Sequence, residues 1–163
     1  PGHREIAEIF LEVTGPLRDD EIEVTIALSS PDGLAVQALA DSGAAGVWLP
    51  RKELTTTQQL DFAAAVVGAD MSLELGIVPV TVTEREEHTG VPVATPARAL
   101  AEQAALFWDE LGYSRLQIAE SLNLAPMGGF AASSNEEAQA QLGAGRNATE
   151  LLRRAAGDLA RDE

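Results

Sequence analysis

Hydrophobic positions along the chain fall into two alternating patterns. Short apolar runs, several of them alternating with polar residues, occupy residues 22–28, 45–50, 72–78 and 115–122. Such runs are typical of β-strands. Between them, apolar residues recur at intervals of three and four, which predicts helices. Strands that alternate with helices predict right-handed βαβ crossovers and a largely parallel sheet.

Capping residues mark several helix boundaries. A leading helix is predicted over residues 5–13, where apolar side chains share one helical face. Thr56 and Gln59 have the spacing of a capping box, which predicts a helix start there. Asn147 and Glu150 have the same spacing and predict a last helix.

Composition divides the chain into four segments. Residues 1–21 are predicted to be a leading helix and linker, and residues 22–123 hold the strand–helix repeats. Residues 124–146, rich in turn-forming and polar residues, are predicted to be a flexible loop or linker, and residues 147–163 a C-terminal helix. Within the second segment, the loop over residues 83–94 exceeds the usual two to six residues, and long loops are often functional.

Three stretches of residues 22–123 carry a family resemblance. They are residues 41–50 with the pair Val47-Trp48, residues 72–79 ending in a Gly-aliphatic turn, and residues 95–106 with the run Ala101-Glu102-Gln103-Ala104. In order and spacing they resemble the N-terminal half of the luciferase-like monooxygenase superfamily, flavin- or deazaflavin-dependent oxidoreductases built on a TIM-type barrel. The resemblance implies an α/β fold, a truncated TIM-like (βα) barrel with about four parallel strands, flanked by an N-terminal and a C-terminal helix. It also implies FMN or a deazaflavin as cofactor.

The chain departs from that family in two ways. The family commonly places an acidic residue and a histidine just past the second strand, whereas Arg51-Lys52-Glu53 follow it here. A complete barrel takes about 250 residues. The second half of the family's barrel, which usually holds the flavin phosphate, has no counterpart among the residues that carry the resemblance. Because a half-barrel exposes sheet edges that must be covered, a homodimer or a partner protein is expected.

Candidate site residues follow from the barrel geometry, in which chemistry lies at the carboxyl ends of the strands. Ser29, Ile77, Val78 and Asn123 are the candidates for cofactor binding. His88, in the long loop, is the candidate catalytic residue, since a histidine can act as a general acid or base near pH 7. The competing interpretations are that Ser29 caps a helix, that Ile77 and Val78 belong to the core, and that His88 is solvated.

Composition narrows the classes of partner. The chain has no cysteine, which fits a reducing, cytoplasmic setting and excludes thiolate metal sites; no metal is expected. The net charge of −15 disfavours nucleic acid and anionic membranes but suits a partner protein with a basic surface. No apolar run approaches the roughly 20 residues that span a bilayer.

Two functional hypotheses remain open on the sequence. The first is a reduced luciferase-like protein, homodimeric, that binds a flavin or deazaflavin as an oxidoreductase. The second is a non-catalytic luciferase-like binding or recognition module that docks to a partner enzyme. The long loop with His88 favours the flavin-dependent oxidoreductase. The run Arg51-Lys52-Glu53, which departs from the family's pattern after the second strand, favours the non-catalytic module.

Overall fold

A four-stranded parallel sheet forms the centre of the computed structural model, which describes residues 23–28 and 36–162. The sheet strands, in spatial order, are β1 (Thr25–Ala27), β2 (Gly46–Pro50), β3 (Ser72–Val78) and β6 (Leu122–Pro126). A separate antiparallel hairpin consists of β4 (Glu84–Arg85) and β5 (Pro92–Val93). The helices are α1 (Val36–Asp41), α2 (Thr57–Gly68), α3 (Ala97–Glu110), α4 (Ile118–Ser121) and α5 (Asn135–Asp162).

The predicted α/β architecture with a parallel sheet of four strands is confirmed. The sheet strands lie side by side in the order in which they occur along the chain, as neighbouring strands of a (βα) barrel do. In the described residues the sheet is open, and closure into a barrel stays a prediction. The predicted leading helix over residues 5–13 lies outside the described residues.

One face of the sheet packs against helices and forms the hydrophobic core. Val47, Leu73 and Leu122 occupy one row across neighbouring strands, and all three are buried. The helices add apolar side chains to this core: Phe62, Val66, Leu100, Phe107, Trp108, Ala148 and Leu152. Burial of each large side chain contributes about 1.5–3 kcal/mol to folding, so this face is the main source of stability.

The fourth strand lies further along the chain than predicted. A strand was predicted over residues 115–122, which begin with polar and apolar types in alternation. The structure instead has a 3-10 turn at Arg115–Gln117, then helix α4, and only then the strand Leu122–Pro126. The reason is a capping box at the start of this turn. The Gln117 side chain accepts a hydrogen bond from the backbone N–H of Ser114, and the Ser114 hydroxyl accepts one from the backbone N–H of Leu116. This local hydrogen bonding favours a helical turn over a strand.

The prediction of a loop or linker over residues 124–146 is wrong for most of that segment. Strand β6 extends to Pro126, and α5 begins at Asn135 and continues to Asp162. Asn147, predicted to cap the last helix, therefore lies inside a helix of 28 residues. Within residues 124–146, only residues 127–134 are without helix or strand.

The start of α2 agrees with its predicted cap. The Thr56 hydroxyl accepts a hydrogen bond from the backbone of Gln59, and the Gln59 side chain accepts one from the backbone of Thr56. This reciprocal pair satisfies two backbone donors that the helix itself leaves without partners. It fixes where the chain turns from β2 back across the sheet.

Candidate functional site

The second face of the sheet carries Trp48 at its centre. The Trp48 side chain extends from β2 across the neighbouring strand β3, where its indole lies over Gly76. Its Nε1–H donates a hydrogen bond to the carbonyl oxygen of Pro126 on β6, at 3.1 Å. A Cβ at position 76 would come within 2.9 Å of the indole carbon Cζ2, so a glycine there is what lets the ring lie flat across the sheet.

A shallow cavity of about 380 Å³ lies beside this indole. Its lining residues come from the carboxyl-end half of the sheet and from the segment after β6: Ala27, Trp48, Ala125, Pro126, Gly128 and Gly129. Apart from the indole, these side chains are small and uncharged. The cavity is therefore apolar, with one aromatic surface and low walls, and its volume falls in the range of small-molecule sites.

A row of polar side chains lies next to Trp48 on the same face. Glu74 stands in register with Trp48 on one side and with Asn123 on the other. The Glu74 carboxylate oxygen Oε1 accepts hydrogen bonds from Asn123 Nδ2 at 2.8 Å and from the Ser72 hydroxyl at 3.3 Å. Arg153 of α5 donates to Asn123 Oδ1 at 3.1 Å. The network orients the amide of Asn123 and supplies a carboxylate beside the indole.

The predicted cofactor-binding residues lie in different surroundings. Asn123 belongs to the polar row just described. Ile77 and Val78 are buried at 7% and 1% exposure within the hydrophobic core, and Val78 contacts Gly145 of α5. Ser29 lies outside the described residues.

His88 lies in the turn of the β4–β5 hairpin and is exposed. The hairpin is held by Arg85, whose guanidinium donates to the Gly90 carbonyl at 2.9 Å and to the Glu137 carboxylate at 2.7 Å. His88 does not line the cavity beside Trp48. The structure thus places the candidate catalytic residue and Asn123 in separate parts of the molecule.

Trp48 and Glu74 are the site residues that sequence reasoning missed. Trp48 entered only as part of a family resemblance, and Glu74 was interpreted as a strand residue. A signal for Glu74 exists in the sequence, because Ser72 and Glu74 alternate with Leu73 and Leu75. In a strand with neighbours on both sides, that alternation indicates one polar face.

Charged groups with shifted pKa values lie away from the sheet face. The backbone N–H of Ser134, its hydroxyl and the guanidinium of Arg85 all act on the carboxyl group of Glu137 and lower its pKa. The Arg115 side chain lowers the pKa of Asp109 in the same way, through a hydrogen bond. Glu137 connects the start of α5 to Arg85 in the β4–β5 hairpin, and Asp109 connects α3 to Arg115 in the turn that follows. Among the described residues, no cluster of histidine and carboxylate side chains is suited to hold a metal ion.

No protein-family model, curated protein or solved structure significantly matches this chain. Within the described residues, no helix combines the length and the apolar character needed to cross a membrane.

Proposed function

We propose that this chain binds the planar ring of a flavin or deazaflavin on the indole of Trp48, as a reduced relative of the luciferase-like monooxygenases. The observation that supports the proposal is the Trp48 indole, which lies over Gly76 and borders an apolar cavity at the carboxyl-end half of a parallel sheet. Ligands of parallel α/β proteins bind at that end of the strands.

The cavity residues fit the ring of such a cofactor. Aromatic rings prefer offset-stacked or edge-to-face contact with each other, and Ala27, Ala125 and the two glycines leave space beside the indole. The hydrogen bond to Pro126 restrains rotation of the indole, so little side-chain entropy is lost when a ring stacks on it.

The same residues do not provide for a phosphate. All six residues that line the cavity are uncharged, and an oxyanion in proteins is usually bound by arginine, lysine or clustered backbone N–H groups. The proposal accordingly concerns the ring, and riboflavin, which carries no phosphate, is the appropriate probe. A bound flavin or deazaflavin would supply electron or hydride transfer, while Trp48 positions its ring and Glu74 lies one strand away.

Equilibrium dialysis of riboflavin against the purified protein tests this proposal. Trp48→Leu removes the aromatic surface, and we expect the dissociation constant to rise about tenfold, the upper range for one stacked aromatic pair. Trp108→Phe is the matched control, because it removes the other indole of the chain, which is fully buried in the core. Equal riboflavin affinity in wild type and Trp48→Leu, or no binding at all, would overturn the proposal.

The alternative function is a non-catalytic luciferase-like module that docks to a partner enzyme. The observation that favours it is that the sheet face around Trp48 stays accessible, with Thr25 and Ala27 exposed. A second copy of the chain or a basic partner protein could cover this face, consistent with the net charge of −15. Sedimentation equilibrium with added riboflavin separates the cases: an assembly that excludes riboflavin supports docking, and a homodimer or monomer that binds riboflavin supports the ring site. A cytoplasmic location remains part of either proposal.

A further inference from the structure

A second cavity of about 580 Å³ lies between β6 and α5. We call it the edge groove, because β6 is the last strand in the sheet order. Its lining residues are Val78, Asn123, Leu124, Pro126, Leu142, Gly145, Arg146, Thr149, Glu150 and Arg153. Apolar side chains of the strands face a helix surface that carries two arginines.

The two arginines of the edge groove differ from the other arginines in their partners. Five described arginines pair with carboxylates: Arg51, Arg85, Arg98, Arg115 and Arg154. Neither Arg146 nor Arg153 forms an ion pair within the described part of the chain. Glu150, which also lines the groove, already accepts a hydrogen bond from Arg154 at 3.2 Å. The groove therefore holds two positive charges without a carboxylate partner, in a chain whose net charge is −15.

The positions of these arginines favour joint contact with one ligand. They are seven residues apart on α5, so they lie two turns apart on the same helix face, roughly 10 Å along the axis. Arg153 is held by its hydrogen bond to Asn123, whose amide in turn donates to Glu74. Gly145 packs directly against Val78, which brings the helix close to the sheet at one end of the groove.

We propose that the edge groove binds a phosphate monoester whose alcohol part is apolar. Guanidinium groups match the geometry of phosphate oxygens through paired N–H donors, and Thr149 adds a hydroxyl at the same wall. Leu124 and Leu142 provide apolar contact for the remainder of the ligand. Because the charge of the whole protein repels anions, binding depends on these two arginines. The groove shares Pro126 with the cavity beside Trp48, but neither arginine lines that cavity, and the proposal does not rest on the proposed function.

Isothermal titration with phenyl phosphate tests the assignment, with inorganic phosphate and phenol as the comparison ligands. Wild type should bind phenyl phosphate more tightly than either comparison ligand, since only the ester uses both the arginines and the apolar wall. Arg146→Gln and Arg153→Gln should each weaken binding about tenfold or more, the effect of one charge-assisted hydrogen bond. Arg98→Gln is the matched control, because Arg98 pairs with Glu102 on α3 and does not line the groove, and its affinity should equal that of wild type.

Three results would overturn the assignment. The first is equal affinity for phenyl phosphate and phenol. The second is an equal loss of affinity in Arg98→Gln and Arg153→Gln. The third is no heat of binding at millimolar ligand. If a second copy of the chain fills the groove instead, sedimentation of wild type will depend on concentration and phenyl phosphate will not alter it, which also contradicts the proposal. Riboflavin bound beside Trp48 should leave the affinity for phenyl phosphate unchanged, so failure of one site is distinguishable from failure of the other.

Discussion

The indole N–H of Trp48 donates a hydrogen bond to the carbonyl oxygen of Pro126, 78 positions later in the chain. The bond joins β2 to the end of β6 across β3, and so ties the sequence-distant end of the sheet to its centre. It also fixes the orientation of the aromatic ring that borders the proposed ligand site. The same contact thus serves the fold and the site.

A methyl group at position 76 should disturb this arrangement. In Gly76→Ala the new Cβ would stand 2.9 Å from the indole, and relief of such overpacking typically costs about 1–3 kcal/mol. We expect a lower free energy of unfolding in urea, a changed near-ultraviolet circular dichroism spectrum and weaker riboflavin binding. Gly128→Ala is the control for stability alone, because Gly128 lines the ligand cavity but nothing lies within 4 Å of a Cβ built there. Its unfolding midpoint should stay close to that of wild type.

Two glycines of α5 should respond in opposite directions to alanine. A Cβ at Gly145 would meet Val78 at 2.9 Å, whereas a Cβ at Gly143 meets nothing within 4 Å. Gly143→Ala should stabilise the protein by about 0.5–1 kcal/mol through helix propensity. Gly145→Ala should destabilise it, since the overpacking outweighs the same gain. Urea unfolding of both variants checks the sign, and stabilisation by both would mean that α5 does not pack against Val78 as described.

Gln141 should contribute more to stability than its polar neighbours on α5. It is 2% exposed, accepts a hydrogen bond from the backbone N–H of Thr95 at 3.1 Å, and donates one to the carbonyl of Thr81 at 2.9 Å. Gln141→Leu leaves the N–H of Thr95 and the carbonyl of Thr81 without this partner. Because Thr81 is exposed and Thr95 is partly buried, we expect a cost of about 1 kcal/mol, near the lower end of the range for an unsatisfied buried group. Gln139→Leu, at an exposed position of the same helix, is the control. Equal thermal midpoints of the two variants would contradict this role.

Acid should weaken the start of α5 through Glu137. Its folded-state pKa lies below the ordinary 4.5, so its stabilising contribution is complete above pH 4.5 and is lost as the pH falls through the lower folded-state pKa. The difference in unfolding free energy between wild type and Glu137→Gln should therefore be constant from pH 7 to about pH 5 and shrink at lower pH. Glu136→Gln makes the same charge change one residue earlier and should show a weaker dependence; equal dependence in both variants would argue against a specific role for Glu137.

Local patterns predicted the central strands well and the last third of the chain poorly. Residues 45–50 and 72–78 became β2 and β3 because their apolar runs end at clear turn signals. At residues 115–122 the alternating pattern was overridden by the capping box of Ser114 and Gln117, a few local hydrogen bonds that outweigh a weak strand tendency. In α5, glycines that suggest a loop are tolerated because one of them, Gly145, packs where no side chain fits.

The site was predictable only in part for a similar reason. Asn123 was predicted at the carboxyl end of the fourth strand, whereas it is the second residue of β6 and lies toward the amino end of that strand. The contact of Trp48 with Pro126 depends on strand order and register across three strands. No local periodicity encodes that relationship. The proposed phosphate site likewise depends on which arginines find carboxylate partners in three dimensions.

Tryptophan emission offers the most direct test of a ring bound on Trp48. In Trp108→Phe, Trp48 is the single remaining indole of the chain, so its emission reports on the proposed site alone. Stacking of riboflavin on this indole predicts that emission is quenched in a saturable way, with a midpoint equal to the dissociation constant from dialysis. If riboflavin binds by dialysis while the emission of Trp48 remains unchanged, the ring does not stack on Trp48 and the proposed site is wrong.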